Sequence, residues 1–136
     1  MRSKHFKLPE LVPLNLFNSV HEELLWKMLD PKLIESVDAI KEKFPKGTMT
    51  INNYFWGGDR GWSGIRTKES PWYSPTSQHS IGKAIDAVFS EYSTEEVRQY
   101  IIDNPEEFPH IKGIEIEVSW LHVDVRSSDK VRLFRS

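Results

Sequence analysis

The chain has 136 residues and no cysteine, which excludes disulfide bonds and thiolate metal ligands. Its composition, 38% hydrophobic and 28% charged, is typical of a soluble globular protein, and its length predicts one domain over residues 1–136. A net charge of −2 gives no general attraction to nucleic acid, and no apolar run is long enough to cross a membrane.

The first third of the chain predicts helices after an extended lead-in. Residues 1–17 contain two prolines and are not patterned as a secretion signal, so we expect an extended segment and a cytoplasmic protein. Apolar residues at helical spacing predict a helix over residues 19–29. Asp30 then caps a second helix that begins at Pro31 and ends near Pro45.

The rest of the chain predicts mainly strands. They lie at residues 49–55, 65–67, 84–89, 113–118, 120–125 and, as an edge strand, 131–134. Ser93 and Glu96 form a capping box that predicts one later helix, ending near Asn104. Because helices come first and strands mostly follow, we expect an α+β fold, in which helices flank an antiparallel sheet that bears the site.

Aromatic residues crowd the region before residue 78. They are Tyr54, Phe55, Trp56, Trp62, Trp72 and Tyr73. They either pack in the core and loops or form the wall of a cleft. Asp59 and Arg60, beside two glycines, form a candidate mobile lip of that cleft.

The most informative stretch is SQHSIGKAID, residues 77–86, which sets His79 and Asp86 seven positions apart. Asp86 also lies within the apolar run AIDAVF. Burying a carboxylate is costly unless a cation or hydrogen bonds compensate for the lost water. A metal ion would do so, but a hydrogen-bonded aspartate beside a surface histidine explains this spacing equally well.

A second histidine, His122, follows in the segment WLHVD. Strand alternation places Trp120, His122 and Asp124 on one face, with the intervening apolar residues in the core. Asp124 could hold an imidazole in its metal-binding tautomer. Two imidazoles and one carboxylate are the ligand set of a hydrolytic zinc site with an open position, which favours the metal over a lone surface histidine.

The patterns Ser-x-His-x-x-Gly-x-Ala-x-Asp at residues 77–86 and Trp-x-His-x-Asp at residues 120–124 resemble the zinc signature of the hedgehog/DD-peptidase superfamily. That group includes zinc D-Ala-D-Ala carboxypeptidases and dipeptidases, phage L-alanyl-D-glutamate endopeptidases and hedgehog signalling domains. The resemblance covers residues 62–126.

The resemblance implies three zinc ligands: His79, Asp86 and His122. Arg66, in the segment SGIRT, matches an arginine that is thought to hold the substrate or the oxyanion. Ser77 matches a serine that lines the cleft. We also expect Gln78 and Trp120 to contact substrate.

One position departs from the peptidases of this group. They carry Glu or Asp three positions before the last ligand as general base, and Ser119 stands there in this chain. Glu117 would reach the metal if the chain bulges at Ser119, whereas Asp124 shares a face with His122 without a bulge. We favour Glu117 as the base, with Asp124 as the alternative or as a partner of a ligand.

The resemblance implies a zinc metallopeptidase that cleaves an amide bond in peptidoglycan stem peptides or cross-links. It also implies an endolysin-like protein of phage or prophage origin, released by lysis or a holin or carried in a virion. We expect a monomer with a peptidoglycan peptide as partner, without nucleic acid or membrane insertion. The D-Ala-D-Ala, L-Ala-D-Glu and cross-bridge amides remain open. The alternative is a zinc-containing binding or virion structural module of the same fold with weak or no catalysis.

Overall fold

The structure is a computed structural model and describes residues 1–135. Within that range the helices are α1 (Leu8–Leu11), α2 (Leu14–Ser19), α3 (Glu22–Met28), α4 (Pro31–Lys43) and α5 (Thr94–Asp103). The strands are β1 (Met49–Thr50), β2 (Ala84–Phe89), β3 (Gly113–Glu115), β4 (Leu121–Asp124) and β5 (Arg132–Phe134). Short 3-10 turns occupy Tyr54–Trp56, Gln78–Ile81 and Pro105–Glu107.

The strands form one mixed sheet in the order β1-β2-β4-β3-β5. The α+β class is therefore confirmed. The β1–β2, β2–β4 and β3–β4 pairs are antiparallel, but β3 and β5 are parallel. The prediction of an antiparallel sheet is thus wrong at this edge. After β4 the chain crosses to the far side of β3, where β5 runs in the same direction as β3.

The predicted extended lead-in is wrong, because α1 and most of α2 lie within residues 1–17. Pro9 lies in the first turn of α1, and Pro13 is the N-cap of α2. Helix starts tolerate proline because the missing N–H would have no partner inside the helix. The predicted helix over residues 19–29 is instead divided, and His21 caps α3 by accepting a hydrogen bond from Glu23 N.

The two capped helices lie where the sequence places them. Asp30 accepts a hydrogen bond from Lys32 N at the start of α4. Ser93 and Glu96 satisfy each other's backbone N–H groups at the start of α5, at 3.1 and 2.7 Å. Side-chain capping fixes these boundaries because it supplies partners for the free amides of the first turn.

Two predicted strands are shorter or absent. The strand over residues 49–55 is limited to β1, because a 3-10 turn begins at Tyr54. Residues 65–67 form no strand, although Ile65 is buried. The other predicted strands are present within their expected ranges.

The hydrophobic core lies between the helices and one face of the sheet. Val37 and Ile40 of α4 pack in the same buried cluster as Val97 of α5 and Leu121 and Val123 of β4. These five side chains are all 0% exposed. His122 and Asp124 therefore point to the opposite face of β4, as strand alternation predicts. No helix among the described residues is long and apolar enough to span a bilayer.

Candidate metal centre

The fold brings the three predicted ligands, His79, Asp86 and His122, into one group that could hold a metal ion. One nitrogen or oxygen atom from each lies within 4.8 Å of the others. Asp86 and His122 are direct cross-strand neighbours on β2 and β4, while His79 approaches from the 3-10 turn before β2. All three residues are at most 8% exposed, so their side chains are held by the surrounding protein.

The imidazole of His79 is held in one tautomer. Its Nδ1 lies 3.0 Å from the carbonyl oxygen of Gly64, which can only accept, so Nδ1 carries the proton. Its other ring nitrogen, Nε2, lies 3.3 Å from Asp86 Oδ1. The Ser77 hydroxyl accepts a hydrogen bond from the His79 backbone N–H and fixes the start of the turn. His79 is thereby oriented to coordinate a metal through Nε2.

His122 is held in the same way through its other nitrogen. Its Nε2 donates to Asp124 Oδ2 at 2.8 Å, and its Nδ1 lies 2.9 Å from Asp86 Oδ1. Asp124 is fully buried and also accepts two hydrogen bonds of 2.7 Å from the Arg126 guanidinium. A carboxylate–histidine pair of this kind leaves Nδ1 as the metal-binding atom. Asp124 therefore holds His122 rather than facing the open side of the group.

The charges in the group strongly perturb its pKa values. Burial disfavours ionised Asp86, but hydrogen bonds with His122 and His79 outweigh it and hold the Asp86 pKa well below its usual range. Burial also disfavours a charged His122, yet its hydrogen bonds with Asp124 and Asp86 raise the His122 pKa to about 9. For Asp124, burial is outweighed by hydrogen bonds from Arg126 and His122, which lower its pKa to about 2. Without metal, the positive charge of protonated His122 compensates part of the negative charge of Asp86 and Asp124.

Two glycines make room for this arrangement. Gly82 of the motif has a φ of +72°, and a Cβ there would collide with the backbone carbonyl of Met28. Its own carbonyl accepts a hydrogen bond from Asp30 N, which ties the histidine turn to α4. Gly113 on β3 faces Asp124, and a Cβ there would overlap the Asp124 carboxylate. Both positions need glycine for physical reasons that the motif alone does not show.

The three candidate ligands line a cleft of about 650 Å³. Of the predicted substrate-binding residues, Arg66, Ser77 and Trp120 also line it, whereas Gln78 is not among its lining residues. Arg66 Nη2 donates to Asp86 Oδ2 at 3.1 Å, and its Nε donates to the carbonyl oxygen of Trp62 at 2.8 Å. Burial lowers the pKa of the Arg66 guanidinium, and the charges of Asp86 and Glu115 partly offset this.

Glu117, the predicted general base, lies away from this cleft. It is exposed, is not among the cleft-lining residues, and forms an ion pair with Arg135. Its φ of 63° is left-handed, so the chain turns sharply just after β3. The sequence favours Glu117 as the base on the condition that a bulge at Ser119 brings it to the metal. In the structure its side chain instead pairs with Arg135 outside the cleft.

Sequence reasoning missed Glu115, which is 6% exposed and lines the cleft. The β3–β4 register pairs Gly113 with Asp124 and Ile114 with Val123. One further step in that register places Glu115 opposite His122, so Asp86, His122 and Glu115 occupy one row across three neighbouring strands. A carboxylate inside an apolar strand was the signal that identified Asp86, and the segment GIE carries the same signal.

The aromatic residues are divided between the cleft and the surface. Trp62, Trp72 and Trp120 line the cleft, and Trp72 is 66% exposed. Tyr54, Phe55 and Trp56 are exposed on the 3-10 turn beyond the cleft. The cleft-wall interpretation therefore fits the tryptophans at positions 62 and 72.

No protein-family model, curated protein or solved structure matches this chain. The resemblance to the hedgehog/DD-peptidase superfamily accordingly depends on the motif residues alone.

Proposed function

We propose that this protein is a zinc-dependent peptidase that cleaves an amide bond in peptidoglycan stem peptides or cross-links. The proposal depends mainly on one observation: the buried group of His79, Asp86 and His122 opens into a cleft that also contains Arg66 and Glu115. The motif resemblance supports peptidoglycan as the substrate and a phage or prophage origin.

The donor set fits zinc. Zinc in hydrolytic sites is bound by two imidazoles and one carboxylate, with a position left open. In this chain the second nitrogen of each imidazole is engaged by Gly64 or Asp124, as metal-binding histidines require. When bound, the ion would act as a Lewis acid on water and on the amide carbonyl.

Glu115 is the best placed general base. Its carboxylate lines the cleft beside the ligand row, whereas Glu117 is held outside by Arg135 and Asp124 is enclosed by His122 and Arg126. In the proposed mechanism Glu115 takes a proton from the attacking water and later transfers it to the leaving amine. These transfers need a carboxylate near the metal, and Glu115 is the remaining candidate on this strand pair.

Arg66 is the best placed group to stabilise negative charge. Its guanidinium lines the cleft and is fixed by Trp62 O and Asp86. A fixed guanidinium can stabilise the oxyanion that develops as the carbonyl is attacked. It can equally bind a carboxylate of the substrate.

The test is turnover of purified peptidoglycan and synthetic stem peptides by zinc-loaded protein, with the products analysed by mass spectrometry. We expect Glu115→Gln to lower kcat by about 100-fold or more while leaving bound zinc unchanged. Glu117→Gln is the matched control, because it makes the same chemical change at an exposed glutamate. Loss of turnover in Glu117→Gln alone would restore Glu117 as the base, and absence of a bound divalent ion would refute the proposal.

A binding module without catalysis is the second candidate, and Ser119 is the observation that favours it. The residue is exposed and carries no carboxylate where peptidases of the resembled group have one. Binding of stem peptides by the zinc-loaded protein, without any turnover over a range of substrates, would support this alternative.

A further inference from the structure

A second cavity of about 520 Å³ adjoins the metal cleft. The two share Asp59, Gly61 and Trp62 as lining residues, so they adjoin at Trp62. A substrate bound at the metal group could therefore extend over Trp62 into the second cavity. Nothing in the proposed mechanism uses that cavity.

The rim between the cavities is held in place by hydrogen bonds rather than left as a loose loop. Asn53 N donates to Arg60 O, and Asn53 Oδ1 accepts from Arg60 N. Arg60 Nε also donates to the carbonyl oxygen of Ile51. Asp59 lies at the tip of this loop, exposed, and its side chain has no hydrogen bond or ion pair with any described residue. A preformed rim with a free carboxylate lowers the cost of binding a cation.

The second cavity differs from the metal cleft in charge. Its ionisable acids are Asp59 and Glu69, and no described residue that lines it is basic. Glu69 is held in place by Thr67, whose hydroxyl donates to it at 2.5 Å, and this hydrogen bond lowers the Glu69 pKa. The metal cleft also has acidic residues in its lining, Asp59, Asp86 and Glu115, but it differs in having two arginines, Arg60 and Arg66.

The aromatic and amide groups of the cavity also suit a small cation. Tyr54 and Trp62 contribute aromatic rings to its lining, and a ring face attracts an ammonium group. Asn15 and Asn18 also line the cavity, and Asn15 Nδ2 donates to Thr67 Oγ1 at 3.2 Å and to Glu69 Oε2 at 3.5 Å. A side-chain amide also carries a carbonyl oxygen that can accept from N–H donors. Carboxylates, carbonyl oxygens and ring faces together match the three donors and single charge of a primary ammonium.

We propose that this cavity binds the protonated side-chain amine of a peptide whose scissile amide lies in the metal cleft. The substrate would then carry an ammonium on the Asp59–Glu69 side of Trp62 and an anionic or carbonyl group on the Arg66 side. This inference depends on the proposed peptidase function for the position of the scissile bond, but the ammonium site itself can be tested by binding alone.

The probes are a synthetic peptidoglycan stem peptide with a free lysine side chain and the same peptide acetylated at that amine. Dissociation constants are measured by tryptophan fluorescence with zinc-loaded Glu115→Gln protein, in which turnover is suppressed, and kcat/KM is measured with zinc-loaded wild type. We expect acetylation to weaken binding about fivefold to tenfold. Adding Asp59→Asn and Glu69→Gln should remove this difference.

The matched control is Glu106→Gln, which removes one exposed carboxylate on the 3-10 turn after α5. It should keep the full preference for the free amine. Equal binding of the two peptides, or no binding of either, would overturn the proposal. A preference that survives in the Asp59→Asn/Glu69→Gln protein would also overturn it, because the amine would then bind elsewhere.

The two proposals fail in different ways. If wild type cleaves neither peptide but binding still depends on the amine and on both carboxylates, the peptidase function is wrong and the ammonium site stands. If both peptides are cleaved with equal kcat/KM and bound equally, the peptidase function stands and the ammonium site is wrong.

Discussion

Replacing Asp124 by asparagine tests whether this buried carboxylate prepares His122 for metal. Asp124 Oδ2 accepts from His122 Nε2 and from Arg126 Nη2, while Oδ1 accepts from Arg126 Nε. An asparagine replaces one of the two carboxylate oxygens by an NH₂ group. In either orientation of the amide, this NH₂ donor faces an N–H group that needs an acceptor. The variant must therefore lose a hydrogen bond to Arg126 or release the Nε2 proton of His122.

The expected effect is a loss of metal affinity. If His122 carries its proton on Nδ1 instead of Nε2, the atom that faces Asp86 can no longer coordinate a metal. Replacing such a carboxylate partner weakens metal binding by about 10-fold to 100-fold. We expect that range here, with a loss of about 1–3 kcal/mol in the unfolding free energy of the metal-free protein because buried donors lose their partner.

The assay is competition for zinc against a chromophoric chelator, with urea unfolding of the metal-free protein in parallel. Asp129→Asn is the matched control, since it makes the same change at an exposed residue. A folded Asp124→Asn protein whose zinc affinity stays within about twofold of wild type would refute the tautomer argument.

Three further outcomes follow from the site and its supports. Because the His122 pKa is about 9 without metal, zinc binding near pH 7 should release about one proton, seen as binding heats that change between buffers of different ionisation enthalpy. The interactions that raise the His122 pKa also stabilise the metal-free protein, fully below about pH 6.5, and this contribution should disappear as the pH rises through about 9. A urea unfolding midpoint that does not fall over that pH range would contradict this prediction. Arg98 is 2% exposed and donates to the carbonyl oxygens of Val118 and Trp120, so Arg98→Met should cost about 2–4 kcal/mol in urea unfolding, whereas the same change at exposed Arg2 should cost under about 0.5 kcal/mol.

Local signals in the sequence were enough to place the helices that begin at a side-chain cap. Asp30 with Pro31, and Ser93 with Glu96, place α4 and α5 because a cap acts on amides within one turn of itself. Asp86 and His122 indicated a metal group because polar, ionisable side chains are unusual in apolar strands, and His79 completed the set. The prolines of α1 and α2 misled the prediction, since proline breaks a helix interior but suits its first turn.

Only the tertiary structure decided which carboxylates surround the candidate ligands. Glu115 and Glu117 are two positions apart, so an uninterrupted strand would place both on the same face. In the structure Glu115 lines the cleft, whereas Glu117 lies outside it and pairs with Arg135. That difference depends on the end of β3 and on its register with β4, which is set by pairing between distant segments. The sequence by itself determined the candidate ligand types and their spacing. The folded sheet determined the row of Asp86, His122 and Glu115, because strand register is a property of the paired strands.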